Sequence, residues 1–190
     1  MTVRPRLAHF VLQTSQLPAM RDWYLNVLGA YAVYENDNMC FLTFDEEHHR
    51  VALLGLPPGV LADRTPLTTG MAHSAFTFPT LRDLIDKYLE LKAVGIHPRV
   101  PVQHGLTTSI YYRDPDGNMV ELQIDNFATP DEATEYMKGP EYAEDPIGPS
   151  FDVEELIKAY RAGTPESQLI TRAWAKTTPQ VNPFELLTTP

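Results

Sequence analysis

Three residues in this chain are of types that together could hold and activate small molecules: His9 in RLAHFVLQ, His73 in MAHSAFTF and Glu121 in GNMVELQI. Each lies inside a short apolar run that reads as a β-strand. Two imidazoles and one carboxylate are the donor set of a facial-triad iron(II) site, which leaves coordination positions open for substrate and oxygen. Zinc suits that chemistry less well, because it does not change oxidation state. The ordinary reading of a histidine on an apolar strand is a satisfied core residue. His9 and His73 depart from it because they open two copies of one pattern. Glu121, in the middle of Met119-Val120-Glu121-Leu122, would be costly to bury without a cation beside it.

The elements that must position these residues can be read in chain order. Residues 7–13 form a strand candidate with His9, Val11 and Gln13 on one face. Thr14-Ser15-Gln16 offers helix-capping side chains. Leu17 to Leu28 then places Leu17, Met20, Trp23, Tyr24, Val27 and Leu28 at helical spacing, with Gly29 as the stop. Strand candidates follow at Tyr31–Glu35, Met39–Phe44 and Arg50–Leu54, giving βαβββ. After a linker reaching Gly70 the pattern restarts. Met71–Phe78 is a strand, and Thr80 with Asp83 caps a helix bearing Leu81, Leu84, Ile85, Tyr88, Leu89 and Leu91. Arg99–Val102, Thr107–Tyr112 and Asn118–Ile124 are the closing strands, the last two joined by the turn Asp114-Pro115-Asp116-Gly117. Sliding the chain by 64 residues lays His9 on His73, Leu17 on Leu81 and Tyr24 on Tyr88.

One such module has a bare sheet face and too small a core to stand alone. The expected fold is therefore α+β: two paired βαβββ modules, about residues 5–56 and 71–125, forming a curled mixed sheet around a metal site. Residues 1–125 make that domain. Residues 126–190 form a C-terminal extension, acidic and Pro/Gly-rich at first, with one helix at Asp152–Ala162 stopped by Gly163. Isolated apolar anchors follow at Leu169, Ile170, Trp174 and Phe184.

Composition narrows the partners. The 190 residues are 43% hydrophobic with a formal net charge of −10, which argues against nucleic acid or a polyanionic substrate. A single cysteine, Cys40, excludes an internal disulfide framework and fits a reducing compartment. No apolar run reaches membrane-spanning length, and MTVRPRLAHF lacks a signal-peptide core. The expected location is the cytoplasm. Exposed strand edges and the long extension favour a homodimer.

The doubled βαβββ pattern with His9, His73 and Glu121 resembles the vicinal oxygen chelate superfamily, which includes glyoxalase I, bleomycin-resistance proteins and type I extradiol dioxygenases. Three stretches resemble the biphenyl-diol dioxygenase branch: FLTFDEEHHRVALLGLP, MAHSAF and HGLTTSIYYRDPDGNMVEL. The resemblance covers about residues 5–125 and implies a one-domain version of that branch. It also implies that His9, His73 and Glu121 are iron ligands and that His49 is the acid–base histidine near the oxygen site, with His48 as the alternative. His104 and Tyr111 would hydrogen-bond the bound diol, although His104 lies nearer the tyrosine than in typical members.

Glyoxalase I-like members use four protein ligands, one from the last strand of each module. Aligning those strands here sets Leu53 opposite Glu121, and a slip of one or two residues offers only Val51, Ala52 or Leu54. None can coordinate a metal, so three ligands and open positions are expected. The expected activity is extradiol cleavage of a small aromatic diol by O2, using Fe(II), with Mn(II) as the alternative metal. Two other readings on the same fold are a non-catalytic binding protein of the resistance type and a metal-dependent isomerase or lyase that runs without oxygen.

Overall fold

The computed structural model describes residues 3–62, 64, 65 and 67–189. Its elements follow the repeat. The first module contains β1 (Phe10–Thr14), α1 (Leu17–Leu28), β2 (Tyr31–Asn36), β3 (Met39–Thr43) and β4 (Val51–Gly55). The second contains β5 (His73–Thr77), α2 (Leu81–Ala93), β6 (Val100–Gln103), β7 (Thr107–Arg113) and β8 (Met119–Asp125). Each module builds a four-stranded sheet, ordered β1-β4-β3-β2 and β5-β8-β7-β6. In both, the first strand runs parallel to the last and the remaining pairs are antiparallel. The α+β class and the mixed sheets match expectation, but there are two separate, unclosed sheets and not one continuous curled sheet. Of the expected linker, Asp63 and Pro66 lie outside the described residues, and the rest carries no helix or strand. No helix among the described residues is long and apolar enough to cross a membrane.

Contacts divide the chain into two compact units: Met1–Arg64 with Asp114–Gly117, and Thr65–Arg113 with Asn118–Pro190. In unit 1, α1 lies on β3 and β4. Met20, Tyr24 and Val27 of the helix and Cys40, Leu42, Val51 and Leu53 of the strands are all buried. Full burial of each large side chain contributes roughly 1.5–3 kcal/mol. Tyr24 donates its hydroxyl proton to Asp114 at 3.1 Å. Burial and that carboxylate push the Tyr24 phenol far above its usual range. Burial likewise raises the Cys40 thiol to about 11. The expected side-chain cap on α1 is not made: its N-cap is Gln16, without a capping bond. The Gln16 amide donates instead to the Pro115 carbonyl (2.9 Å) and to Asp116 (2.6 Å), and Pro18 supplies the preset first turn.

In unit 2, α2 packs on β8, with Leu81, Leu84, Ile85, Tyr88 and Leu91 buried. Thr80 caps it as its sequence implies, accepting from the Asp83 amide at 3.2 Å. The extension belongs to this unit. Among its described residues it carries not one helix but six: α3 (Pro130–Met137), α4 (Pro140–Glu144), α5 (Val153–Arg161), α6 (Glu166–Leu169), α7 (Arg172–Ala175) and α8 (Pro183–Thr188). Only α5 is amphipathic over more than two turns, so only it had a periodicity to read. Asp152 caps α5 by accepting from Glu155 at 3.0 Å. The others are short turns started by Pro, Thr or Asn. Tyr88 ties α2 to α5, donating to Glu154 at 2.7 Å.

The extension is stitched to β6. The Gln103 amide donates to the Pro149 carbonyl at 2.9 Å, and Val102 bridges Ser150. Between them Gly148 has φ +88°, and a Cβ there would lie 2.1 Å from the Gln103 carbonyl oxygen. Both the left-handed backbone and the lack of room demand glycine. Gly148→Ala is expected to cost at least about 1–2 kcal/mol from the backbone alone. The denaturant midpoint of the variant against the parent measures it, and an unchanged midpoint would refute the tight approach.

Candidate active site

Strand register places most of the candidate residues of unit 2 on one face of its sheet. His73 pairs with Met119 and Ala75 with Glu121, so His73 and Glu121 stand on the same face one step apart. His73 Nε2 lies 3.0 Å from Glu121 Oε2. Tyr111 is directly opposite Glu121 on β7. His104 follows the end of β6, and its Nε2 lies 3.0 Å from the Tyr111 hydroxyl and 3.8 Å from Glu121 Oε1. The His73 and Tyr111 rings meet edge-on at 5.5 Å. Four candidates thus converge: His73, His104, Tyr111 and Glu121.

The electrostatics follow from one buried charge. The Glu121 side chain is only 6% exposed, whereas that of His73 remains 41% exposed. Burial pushes the Glu121 carboxyl up, but hydrogen bonds from His73 and Ser109 and the influence of His104 outweigh it. The carboxyl is held below the usual range, as an anion. Its hydrogen bond to His73 raises that imidazole. His104 goes the other way: burial lowers it more than Glu121 raises it, so it is neutral at pH 7. Burial and the Glu121 charge push the Tyr111 phenol far above neutrality, so it keeps its proton. The result is an anion, a neutral base and an un-ionised phenol in contact.

The residues of this face fit a divalent cation. A buried anionic oxygen donor with an imidazole at contact distance on a sheet face is what such an ion requires. Among the described residues, no group of three or more His, Cys, Asp or Glu side chains is placed to hold a metal. Unit 2 offers the two donors His73 and Glu121.

Unit 1 holds the other candidates. His9 sits one residue before β1, not within it, on the side of Val11 and Gln13. Its ring lies 4.2 Å from that of His49 and 6.4 Å from that of His48. His49 stacks on Phe41 at 4.8 Å, and the two neighbouring histidines approach through Nδ1 at 2.6 Å. Burial, then the nearby His9 and His48, lower His49. The His48 side chain is 69% exposed, so His49 is the better-held imidazole.

The register also refines the fourth-ligand comparison. β1 pairs with β4 so that Val11 meets Ala52, as Ala75 meets Glu121 in the second module. The counterpart of Glu121 is therefore Ala52, one residue from the Leu53 expected by alignment. β3 sets Phe41 against Ala52 where β7 sets Tyr111 against Glu121. The first module has a phenyl ring and a methyl group where the second has a phenol and a carboxylate.

Several contributors were not anticipated. Ser109 could have been found, since strand alternation puts it on the face of Tyr111. Asn126 donates to the Gln103 side chain (2.8 Å) and the Gly105 carbonyl (2.9 Å). Arg172 donates to the His104 carbonyl at 2.5 Å. The last two act on a loop across long sequence gaps, and no local periodicity announces them.

Fold and site together define a protein of the Glyoxalase/Bleomycin resistance protein/Dioxygenase superfamily, whose model matches residues 6–122; the chain belongs to it. It is 70% identical to Biphenyl-2,3-diol 1,2-dioxygenase 3 of Rhodococcus globerulus over 190 residues, the whole of both chains. It is 60% identical to Biphenyl-2,3-diol 1,2-dioxygenase 2 of the same organism, over 99% of this chain and 100% of that one. The crystal structure of a glyoxylase/bleomycin resistance protein/dioxygenase domain from Frankia sp. EAN1pec superposes with a TM-score of 0.54 at 18% identity. It covers 65% of this chain and 99% of that chain, and supports the fold alone.

Removing the phenol oxygen should uncouple the buried cluster without unfolding it. Tyr111→Phe leaves His104 Nε2 without its partner, and a loss of about 1 kcal/mol of stability is expected by chemical denaturation. A stability gain would mean the 3.0 Å contact is not a hydrogen bond.

Proposed function

We propose that this protein opens the aromatic ring of a biphenyl-2,3-diol-type catechol beside its two hydroxyls, using O2 and an iron(II) ion held by His9, His73 and Glu121. The protein is a metal-dependent extradiol ring-cleaving dioxygenase. The observation that carries the reading is the His73–Glu121 pair with Tyr111 and His104 against it, in a chain 70% identical end to end to a biphenyl-2,3-diol dioxygenase. His9 completes the donor set as the first-module counterpart of His73. Residues 1–125 carry this chemistry, and 126–190 form an accessory extension.

Each side chain has a task suited to its protonation state. The metal, when bound, supplies Lewis acidity toward the diol and an electronic route between diol and dioxygen. Neutral His104 accepts a hydroxyl proton of the diol at Nε2. Tyr111 keeps its own proton and donates a hydrogen bond to a substrate oxygen. His49, neutral beside His9, holds or releases a proton where oxygen is reduced. Phe41 and Ala52 present no further donor, which argues for three ligands and against a four-ligand isomerase or lyase.

The protein acts in the cytoplasm, as a homodimer. Every residue of the edge strand β2 is exposed, Tyr31, Val33 and Tyr34 among them. Such an edge is normally covered. Sedimentation velocity at micromolar concentration is expected to give a dimer, and a monomer would remove that part of the reading.

Anaerobic reconstitution with iron(II), followed by biphenyl-2,3-diol and air, should give oxygen uptake and a yellow ring-fission product. Manganese(II) loading tests the metal. Silence on both mono- and bicyclic catechols would sink the activity. His9→Ala should lose bound iron. His49→Ala should keep the iron and lose on the order of 10²–10⁴ in turnover.

A further inference from the structure

The loop that carries His104 is held both by its own sheet and by the extension. Gly105 donates to the Gln103 side chain at 3.0 Å, and Asn126 closes on both Gln103 and Gly105. The His104 ring hydrogen-bonds the main chain of Ile147. Its Nε2 is the nitrogen that faces Tyr111.

Beneath this loop lies Arg172, the first residue of α7, which is 5% exposed. Its Nη2 donates to the His104 carbonyl at 2.5 Å and its Nη1 to the Glu141 carbonyl at 3.2 Å. The guanidinium sits over the rings of Tyr136 and Tyr142, at 5.7 and 5.9 Å. Among the described residues no carboxylate pairs with it. A buried arginine ordinarily needs a counter-ion to offset desolvation. This one directs its donors at two main-chain carbonyls and its faces at two phenols. A lysine, with one ammonium and no planar faces, cannot make that set of contacts.

We propose that Arg172 is a positioning residue of the active site: by gripping the His104 carbonyl and the α4 segment at once, it sets the imidazole against Tyr111. The proposal rests on the role given to His104 above. It makes the extension part of the catalytic apparatus, acting through one peptide carbonyl.

The test is a double-mutant cycle on the iron-loaded enzyme with biphenyl-2,3-diol. Arg172→Met should lower kcat by on the order of 10- to 100-fold, with KM and iron content little changed. Arg172→Lys should not restore it. In a His104→Ala background the Arg172→Met change should cost less than about twofold more, because the two act as one unit. A second readout uses metal-free protein: the His104 ring-proton signal, seen by NMR, should shift or broaden in Arg172→Met, because the ring loses its fixed place against Tyr111. Fully additive losses would overturn the proposal, as would full rescue by lysine or an unchanged proton signal. If neither Arg172 variant folds, the residue is structural and the proposal fails. Full activity in His104→Ala would show that the role of His104 itself is wrong, a separate failure visible in the single variant.

Discussion

One buried carboxylate organises unit 2. Glu121 lies on a central strand, where an anion is tolerable only if its surroundings supply protons and positive charge. The surroundings do so from three directions: His73 from the parallel neighbour, Tyr111 and Ser109 from the antiparallel one, and His104 from the loop beyond β6. Shifting β8 by one residue would turn Glu121 to the helix-covered face, among Val120 and Leu122, and expose those instead. The register of the sheet and the placement of the charge are thus a single constraint. The upward shift of His73 is its direct result, whereas burial lowers His104 against the pull of the same charge.

The two modules show what happens when a repeat keeps its frame and changes its chemistry. Both retain the same strand order and pairing pattern, because each needs a helix-covered apolar face to exist. On the other face they have diverged. Phe41 and Ala52 stand where Tyr111 and Glu121 stand in the second module, and the His49 ring stacks on Phe41. The first module presents imidazoles and aromatic surface, and the second presents a buried charge.

Much of this was legible in the sequence. The helices α1 and α2 show complete apolar stripes, and the strands were bounded by turn residues, so their positions could be read within a residue or two, except that β1 starts three residues later than its apolar run. His73 and Glu121 were legible because charged or basic residues inside apolar runs stand out. The one-residue error at Leu53 came from aligning strand ends, when what fixes equivalence is the pairing of Val11 with Ala52. The extension was the least legible part. Its short helices carry no period, and its work is done by main-chain carbonyls at Pro149, Glu141 and Ile147 and by a guanidinium. Backbone acceptors have no letter in a sequence.

The sealed position of Cys40 bears on durability. An enzyme that handles oxygen exposes itself to stray oxidants. Thiolates are the groups such oxidants attack first, and the chain's single thiol is fully buried and raised to about 11. It therefore stays protonated and out of reach through each turnover. Oxidative wear would then fall elsewhere than on the sulfur at the core of unit 1.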